Sequence, residues 1–185
     1  MMGDLMLKKI LIGVVVLVVG LLLFINSKPD DFKVSRSTLI KASPEAVFEQ
    51  VNDFHAWERW SPWVKVDPKA KTVYQGPAQG VGAVFNWDGN NDVGKGSMTI
   101  IESKPSDYIK LLLNFEKPFE GKNNVEFTFK KQGDQTYVTW SMFGKSNFFG
   151  KALSLVFNCD QMIGGQYEKG LAQLKAVVEQ AGAVK

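Results

Sequence analysis

Residues 125–143 read VEFTFKKQGDQTYVTWSMF, and their hydrophobic period is two. Val125, Phe127 and Phe129 fall on one side of an extended chain, with Glu126, Thr128 and Lys130 on the other. After the turn chemistry of Gln132-Gly133-Asp134 the pattern resumes, Val138, Trp140 and Met142 opposing Tyr137, Thr139 and Ser141. Two alternating runs joined by so short a connection predict an antiparallel hairpin with one covered face and one wetter face.

Working outward, the same period extends upstream. Thr72–Gln75, Val81–Trp87, Gly96–Glu102 and Tyr108–Phe115 are strand candidates. Gly76-Pro77, Asp88-Gly89-Asn90-Asn91, Lys104-Pro105-Ser106-Asp107 and Gly121-Lys122-Asn123-Asn124 read as the turns between them. Earlier still, Lys33 to Lys41 reads as a first strand. Ser43 then suits a helix N-cap, Pro44 the first helical position and Glu45 the positive end of the dipole. Downstream, about Phe149 to Gln180 reads as one long helix whose stripe includes Leu153, Phe157, Met162, Ile163, Tyr167, Leu171, Leu174 and Val178. Gly164, Gly165 and Gly170 inside it predict a kink, or a face kept bare for close approach. The expected class is α+β: a curved antiparallel sheet wrapped around a long C-terminal helix.

Ahead of all this stands Ile10 to Ile25, ILIGVVVLVVGLLLFI, with Lys8 and Lys9 before it. Sixteen helical residues rise about 24 Å, and Leu5 to Leu7 lengthen the span once the lysines snorkel. The exit, Ile25-Asn26-Ser27-Lys28-Pro29, makes a poor cleavage site, so a retained anchor is expected rather than a signal peptide. Basic flanking residues favour N-in, C-out and an extracytoplasmic domain. The expected division is a cytoplasmic stub and transmembrane helix over 1–27, a linker over 28–32 and a globular domain over 33–182. One cysteine, Cys159, allows no internal disulfide. The net charge of +3 is scattered, which gives nucleic-acid binding no concentrated basic face.

The order of elements, together with Ile40-Lys41-Ala42-Ser43-Pro44-Glu45-Ala46-Val47-Phe48, Val51-Asn52-Asp53, Trp57, Trp60-Ser61-Pro62-Trp63, Thr136–Trp140 and Tyr167–Lys175, resembles the START-like or SRPBCC superfamily, in particular its polyketide-cyclase/dehydrase-like members. That resemblance covers about residues 33–180 and implies a helix-grip fold. It also implies an apolar cavity between sheet and C-terminal helix for a lipid, polyketide or other hydrophobic molecule. Lining candidates are Phe85, Trp87, Met98, Ile100, Leu111, Leu113, Phe127, Phe129, Trp140 and Met142 on the sheet, Ile163 and Tyr167 on the helix, and Trp60 and Trp63 as a lid or rim. The plain alternative for all of them is core packing.

Catalytic signals are sparse. His55 is the one histidine and reads as an exposed loop residue, while Cys159 reads as a mid-helix packing residue. One His and one Cys supply no zinc site, and no metal or cofactor is expected. Gly89 to Lys95 mimics a phosphate loop, but Gly96 stands where Ser or Thr belongs. Asp88-x-Asn90-x-Asp92 mimics a calcium loop, but Val93 occupies its glycine position. Both read as one hairpin turn. Asn86, Asn114 and Ser141 are candidate polar groups for a cavity only where a bulge turns them inward. The leading expectation is therefore a membrane-anchored, non-catalytic binder of a hydrophobic small molecule or lipid. The alternatives are a polyketide cyclase/dehydratase-type enzyme using the same cavity, and an interaction domain that modulates a membrane partner.

Overall fold

The computed structural model describes residues 2–156 and 158–183. The chain divides into two compact units: residues up to Phe32 with Lys145–Asn158, and Lys33–Gly144 with the chain from Cys159 onward.

The second unit is built on a seven-stranded sheet. Its strands are β1 (Asp31–Ile40), β2 (Lys71–Gln75), β3 (Val84–Asp88), β4 (Lys95–Lys104), β5 (Tyr108–Lys117), β6 (Gly121–Gln132) and β7 (Gln135–Lys145), in the order β1-β7-β6-β5-β4-β3-β2. The meander from β2 to β7 is antiparallel throughout. β1 closes the far edge, where Ser35 and Ser141 share a hydroxyl hydrogen bond of 2.9 Å and Ser37 and Thr139 another of 2.9 Å. The expected hairpin is present, with Phe127 opposite Trp140 and Phe129 opposite Val138. Gly121 to Asn124, expected as a turn, instead opens β6 and pairs with β5, Asn123 facing Leu113. The turn moves upstream to Pro118–Glu120, where a cis Lys117-Pro118 bond follows β5. Between β3 and β4 the two mimic motifs form one turn: Gly89 N–H donates to Gly94 O (2.9 Å) and Gly94 takes a positive φ of 70°.

Helix α1 (Met2–Asn26) belongs to the first unit and holds a segment, Met6–Asn26, long and apolar enough to cross a membrane. Helix α2 (Pro44–Asn52) begins as its sequence dictates, with Pro44 in the first turn and the Ala46 N–H donating to Ser43 Oγ at 3.4 Å. A 3-10 turn (Phe54–Arg59) and the short helix α3 (Pro62–Val66) follow.

The single long C-terminal helix is corrected to two: α4 (Phe148–Val156) in the first unit and α5 (Cys159–Ala183) in the second. Asn147 explains where α4 starts, since its Oδ1 accepts the Gly150 N–H at 2.8 Å and occupies an orphan donor of the first turn. Cys159 accordingly opens α5 rather than sitting mid-helix. Its side chain, like Phe157, lies outside the described residues.

α5 runs on through its glycines, and two of them are sites of close approach. Arg36 of β1 reaches over the helix to bond Asp160 Oδ2 (2.8 Å) and Glu168 Oε1 (2.7 Å), two turns apart. A Cβ on Gly164, which lies between them, would overlap that guanidinium. A Cβ on Gly170 would lie 2.8 Å from the Trp140 ring and 3.1 Å from Pro62. Toward its other end α5 is tied to β1 by Lys175 Nζ donating to Leu39 O (2.7 Å) and by Glu179 Oε1 accepting the Lys41 N–H (2.7 Å).

Candidate ligand-binding site

Cross-strand register places every apolar sheet residue singled out above on one face. One row runs Ile109–Phe127–Trp140, the next Ile100–Leu111–Val125–Met142, and the next Phe85–Met98–Leu113–Asn123. The last runs Trp87–Gly96–Phe115–Gly121. Burial along this face is unequal, and that inequality divides the site in two.

At the closed end the aromatic rings pack on one another. Trp140 is sandwiched between Tyr167 of α5 (centroids 3.9 Å apart, planes 10° apart) and Phe127 (4.8 Å, 28°). Trp60 meets Trp140 edge-on at 5.6 Å, and Trp63 meets Trp140 at 5.8 Å and Tyr167 at 6.1 Å. Trp57 completes the cluster against Trp60 at 4.6 Å. Trp60, Phe127, Trp140 and Tyr167 are buried, as are Ile100, Leu111, Met142 and Phe129, the last edge-on to Phe48 at 5.7 Å. The cluster is positioned by α2: Trp57 and Trp60 donate their indole N–H groups to Val51 O (2.9 Å) and Gln50 O (3.1 Å) at its C-terminal turn. Those bonds satisfy carbonyls that a helix end leaves orphaned.

Among the described residues, the buried side-chain polar atoms without a partner are Trp140 Nε1 in this cluster and Gln173 Oε1 on α5. Burial pushes the Tyr167 phenol well above its usual range, and the stacked Trp140 indole offsets part of that push without a geometric hydrogen bond. Tyr167 therefore stays protonated at neutral pH.

At the other end the same face is open. Phe85, Met98, Phe115 and Asn123 are half-buried, as is Ile163 on α5, while Trp87 and Leu113 beside them are buried. Phe85 and Trp87 stack at 5.9 Å, and Trp87 meets Phe115 edge-on at 5.9 Å. Trp87 lies flat over Gly96, where a Cβ would come 2.6 Å from its ring. An open cleft of about 430 Å³ adjoins this end, lined by Asn114, Phe115, Glu116, Glu120, Gly121 and Lys122.

The polar candidates fall on the opposite face. Asn86, Ser97, Asn114 and Lys122 form a row of cross-strand partners out of phase with Phe85, Met98 and Leu113. Asn86 donates to Val73 O (3.2 Å) and Ser141 is engaged by Ser35. His55, exposed, sits in the 3-10 turn with its ring on Tyr74 at 4.1 Å. Among the described residues, the buried side chains bearing an ionisable group are Tyr167 and, in the first unit, Lys151. Sequence reasoning missed Phe54, Phe115 and Asn123 as neighbours of the site. Phe54 bridges the two ends, 5.4 Å from Trp57 and 5.9 Å from Phe85, and Asn123 was hidden by the misplaced turn.

A curved antiparallel sheet gripping a long C-terminal helix defines the helix-grip class. The family described as polyketide cyclase / dehydrase and lipid transport matches residues 31–179, and the chain belongs to that family. Solved structures with this fold include protein CV1439 from Chromobacterium violaceum, at 16% identity and a TM-score of 0.59, covering 80% of this chain and 96% of that one. Protein SA2116 from Staphylococcus aureus, of unknown function, aligns at 13% identity and TM-score 0.61, covering 84% and 98%. DynU16, a putative protein in the dynemicin biosynthetic locus, aligns at 14% identity and TM-score 0.56, covering 80% of this chain and 48% of that one. At such identities the likeness carries the fold alone. No curated protein matches the chain.

Proposed function

We propose that residues 33–182 bind a hydrophobic or amphipathic small molecule without catalysis, while α1 tethers them to a membrane in the N-in, C-out sense. The observation that carries this reading is the uneven cover of one apolar face. Its closed end is packed with rings, whereas Phe85 and Met98 of the sheet and Ile163 of α5 remain half-exposed, and half-exposed Phe115 of the same sheet face lines a cleft of about 430 Å³. A volume of that order suits a drug-sized ligand. In this reading the apolar part of the ligand lies against Phe85, Met98 and Leu113, and its polar end reaches Asn123 and the Glu120–Gly121 edge of the cleft. Oriented proton-transfer pairs are what acid–base chemistry needs, and the polar row of the sheet faces away from the ligand.

Met98→Trp tests the reading. The added indole should fill the open end, at a cost below the roughly 1–3 kcal/mol of overpacking a dense core. Full-length protein in amphipol, titrated with fatty acids or polyketide-like aromatics, should show saturable tryptophan quenching that Met98→Trp abolishes. Equal quenching in both proteins would contradict the proposal.

One observation favours the enzyme reading: Tyr167, a protonated donor stacked on Trp140 beside the inner face. A cyclase or dehydratase of this design would lose turnover with Tyr167→Phe while retaining ligand binding.

A further inference from the structure

The first unit contains an amphipathic helix that neither the fold nor the ligand site uses. α4, FFGKALSLV, carries its polar positions Gly150, Lys151 and Ser154 on one side. At 100° per residue, Leu155, Phe148, Ala152 and Val156 span the other. Exposure follows the pattern in an unusual direction. The charged Lys151 is buried, whereas Phe148 is 47% exposed, Leu155 41% and Val156 77%. A soluble surface seldom gathers large apolar side chains on one helix face while hiding the charge.

The buried charge fixes where this helix lies. Lys151 Nζ donates to Asn26 O at 3.3 Å and pairs with Asp30. Asn26 is the last residue of α1, so α4 is pinned where the apolar helix ends. The Ser146 N–H donates to Asp30 O at 2.7 Å, fixing the strand that leads into α4 to the same turn. Lys28 Nζ lies 4.5 Å from the Phe24 ring centroid, the arrangement of a cation held at the headgroup level above a lipid-facing aromatic.

We infer that α4 is an in-plane membrane helix. Its Phe148–Leu155–Val156 face enters the interfacial zone of the same bilayer that α1 crosses, and Lys151 latches its polar face to the end of α1. The inference rests on reading α1 as a retained span. The occupant is the bilayer rather than a protein, because Lys151 and Ser146 pin this helix at the residues where the apolar segment of α1 ends. Interfacial binding scales with the apolar area a helix buries, which is small for nine residues, and α1 supplies the stronger hold. α4 would then act as a foot beside α1 at the lipid surface.

Site-directed spin labelling of the full chain tests the inference. In a Cys159→Ser background, Val156→Cys, Ser154→Cys and Val16→Cys are labelled and reconstituted into phosphatidylcholine/phosphatidylglycerol vesicles. Collision rates with oxygen and with a water-soluble nickel chelate are then compared. All three positions are exposed in the structure, so the labels disturb no packing. The expected result is oxygen-dominated relaxation at 16 and 156, with an oxygen-to-nickel ratio at 156 severalfold above that at 154. A lipid-buried label at 16 with equal ratios at 156 and 154 overturns the in-plane helix and leaves the span intact. A nickel-accessible label at 16 overturns the span and the foot together.

Discussion

Gly170→Ala should destabilise the protein even though alanine is the better helix former. The new methyl would sit 2.8 Å from Trp140 Cζ3 and 3.1 Å from Pro62 Cδ. Neither neighbour is a flexible side-chain end: Trp140 is held between Phe127 at 4.8 Å and Tyr167 at 3.9 Å, and Pro62 begins α3. Overpacking of this kind costs about 1–3 kcal/mol, and the propensity gain of about 1 kcal/mol offsets part of it. Gly165→Ala is the matched control, because its methyl meets no atom within 4 Å and it gains the same propensity in the same helix. The difference between the two variants isolates the steric term, about 1–3 kcal/mol. For a chain of this size that separates their melting temperatures by about 2–4 °C per kcal/mol. Near-ultraviolet circular dichroism of the full chain in detergent follows the aromatic cluster directly. Equal melting of the two variants would refute the argument, since it would mean that Trp140 has room to withdraw.

Arg36→Met should lower stability at neutral pH, and the deficit should shrink in acid. Arg36 holds the Asp160 carboxyl below the usual range, so the contribution is complete above about pH 4 and lost as acid titrates the lowered group. Urea unfolding from pH 7 to pH 3 reads this, and a deficit that grows in acid would reverse the sign. Gly164→Ala should reproduce the Arg36→Met profile by evicting the guanidinium. Ser43→Ala should cost about 0.5–2 kcal/mol, toward the lower end because the cap bond is 3.4 Å long, read as a fall in urea midpoint. Asp30→Asn should raise hydrogen exchange across 148–156 more than across α5, because it removes the ionic partner of buried Lys151. Uniform exchange would show that α4 is held by other contacts.

Local rules made much of the fold legible. Period-two alternation named the faces of β6 and β7, Ser43-Pro44-Glu45 named the start of α2, and the unbroken apolar run named α1. The failures were nonlocal. Gly121 to Asn124 has turn composition, yet pairing with β5 draws it into the sheet, because a neighbouring strand satisfies backbone groups whatever the local propensity. The break before α5 was invisible because 148–156 and 159–183 are both helical in pattern. Asn147 sets where α4 starts, and the bonds of Lys151 to Asn26 and Asp30, with that of Ser146 to Asp30, show that α4 belongs with α1. The glycines of α5 announced close approach but not by what. Arg36 of β1 and Trp140 of β7 arrive from distant sequence, and no spacing within the helix encodes them. The apolar face of the sheet was likewise readable, while its packed end depends on Trp57, Trp60, Trp63 and Tyr167 arriving from three separate helical segments.

Photo-crosslinking with a diazirine fatty acid distinguishes a lipid-binding sheet face from a membrane anchor alone. Full-length protein in lipid nanodiscs is irradiated, digested and mapped by mass spectrometry. Adducts are expected on the strand segments carrying Phe85 and Met98 and on the α5 turn carrying Ile163, suppressed by Met98→Trp. Adducts confined to α1 and α4 would contradict that expectation, showing that the chain meets lipid only as a membrane anchor and that the open end of the sheet binds none.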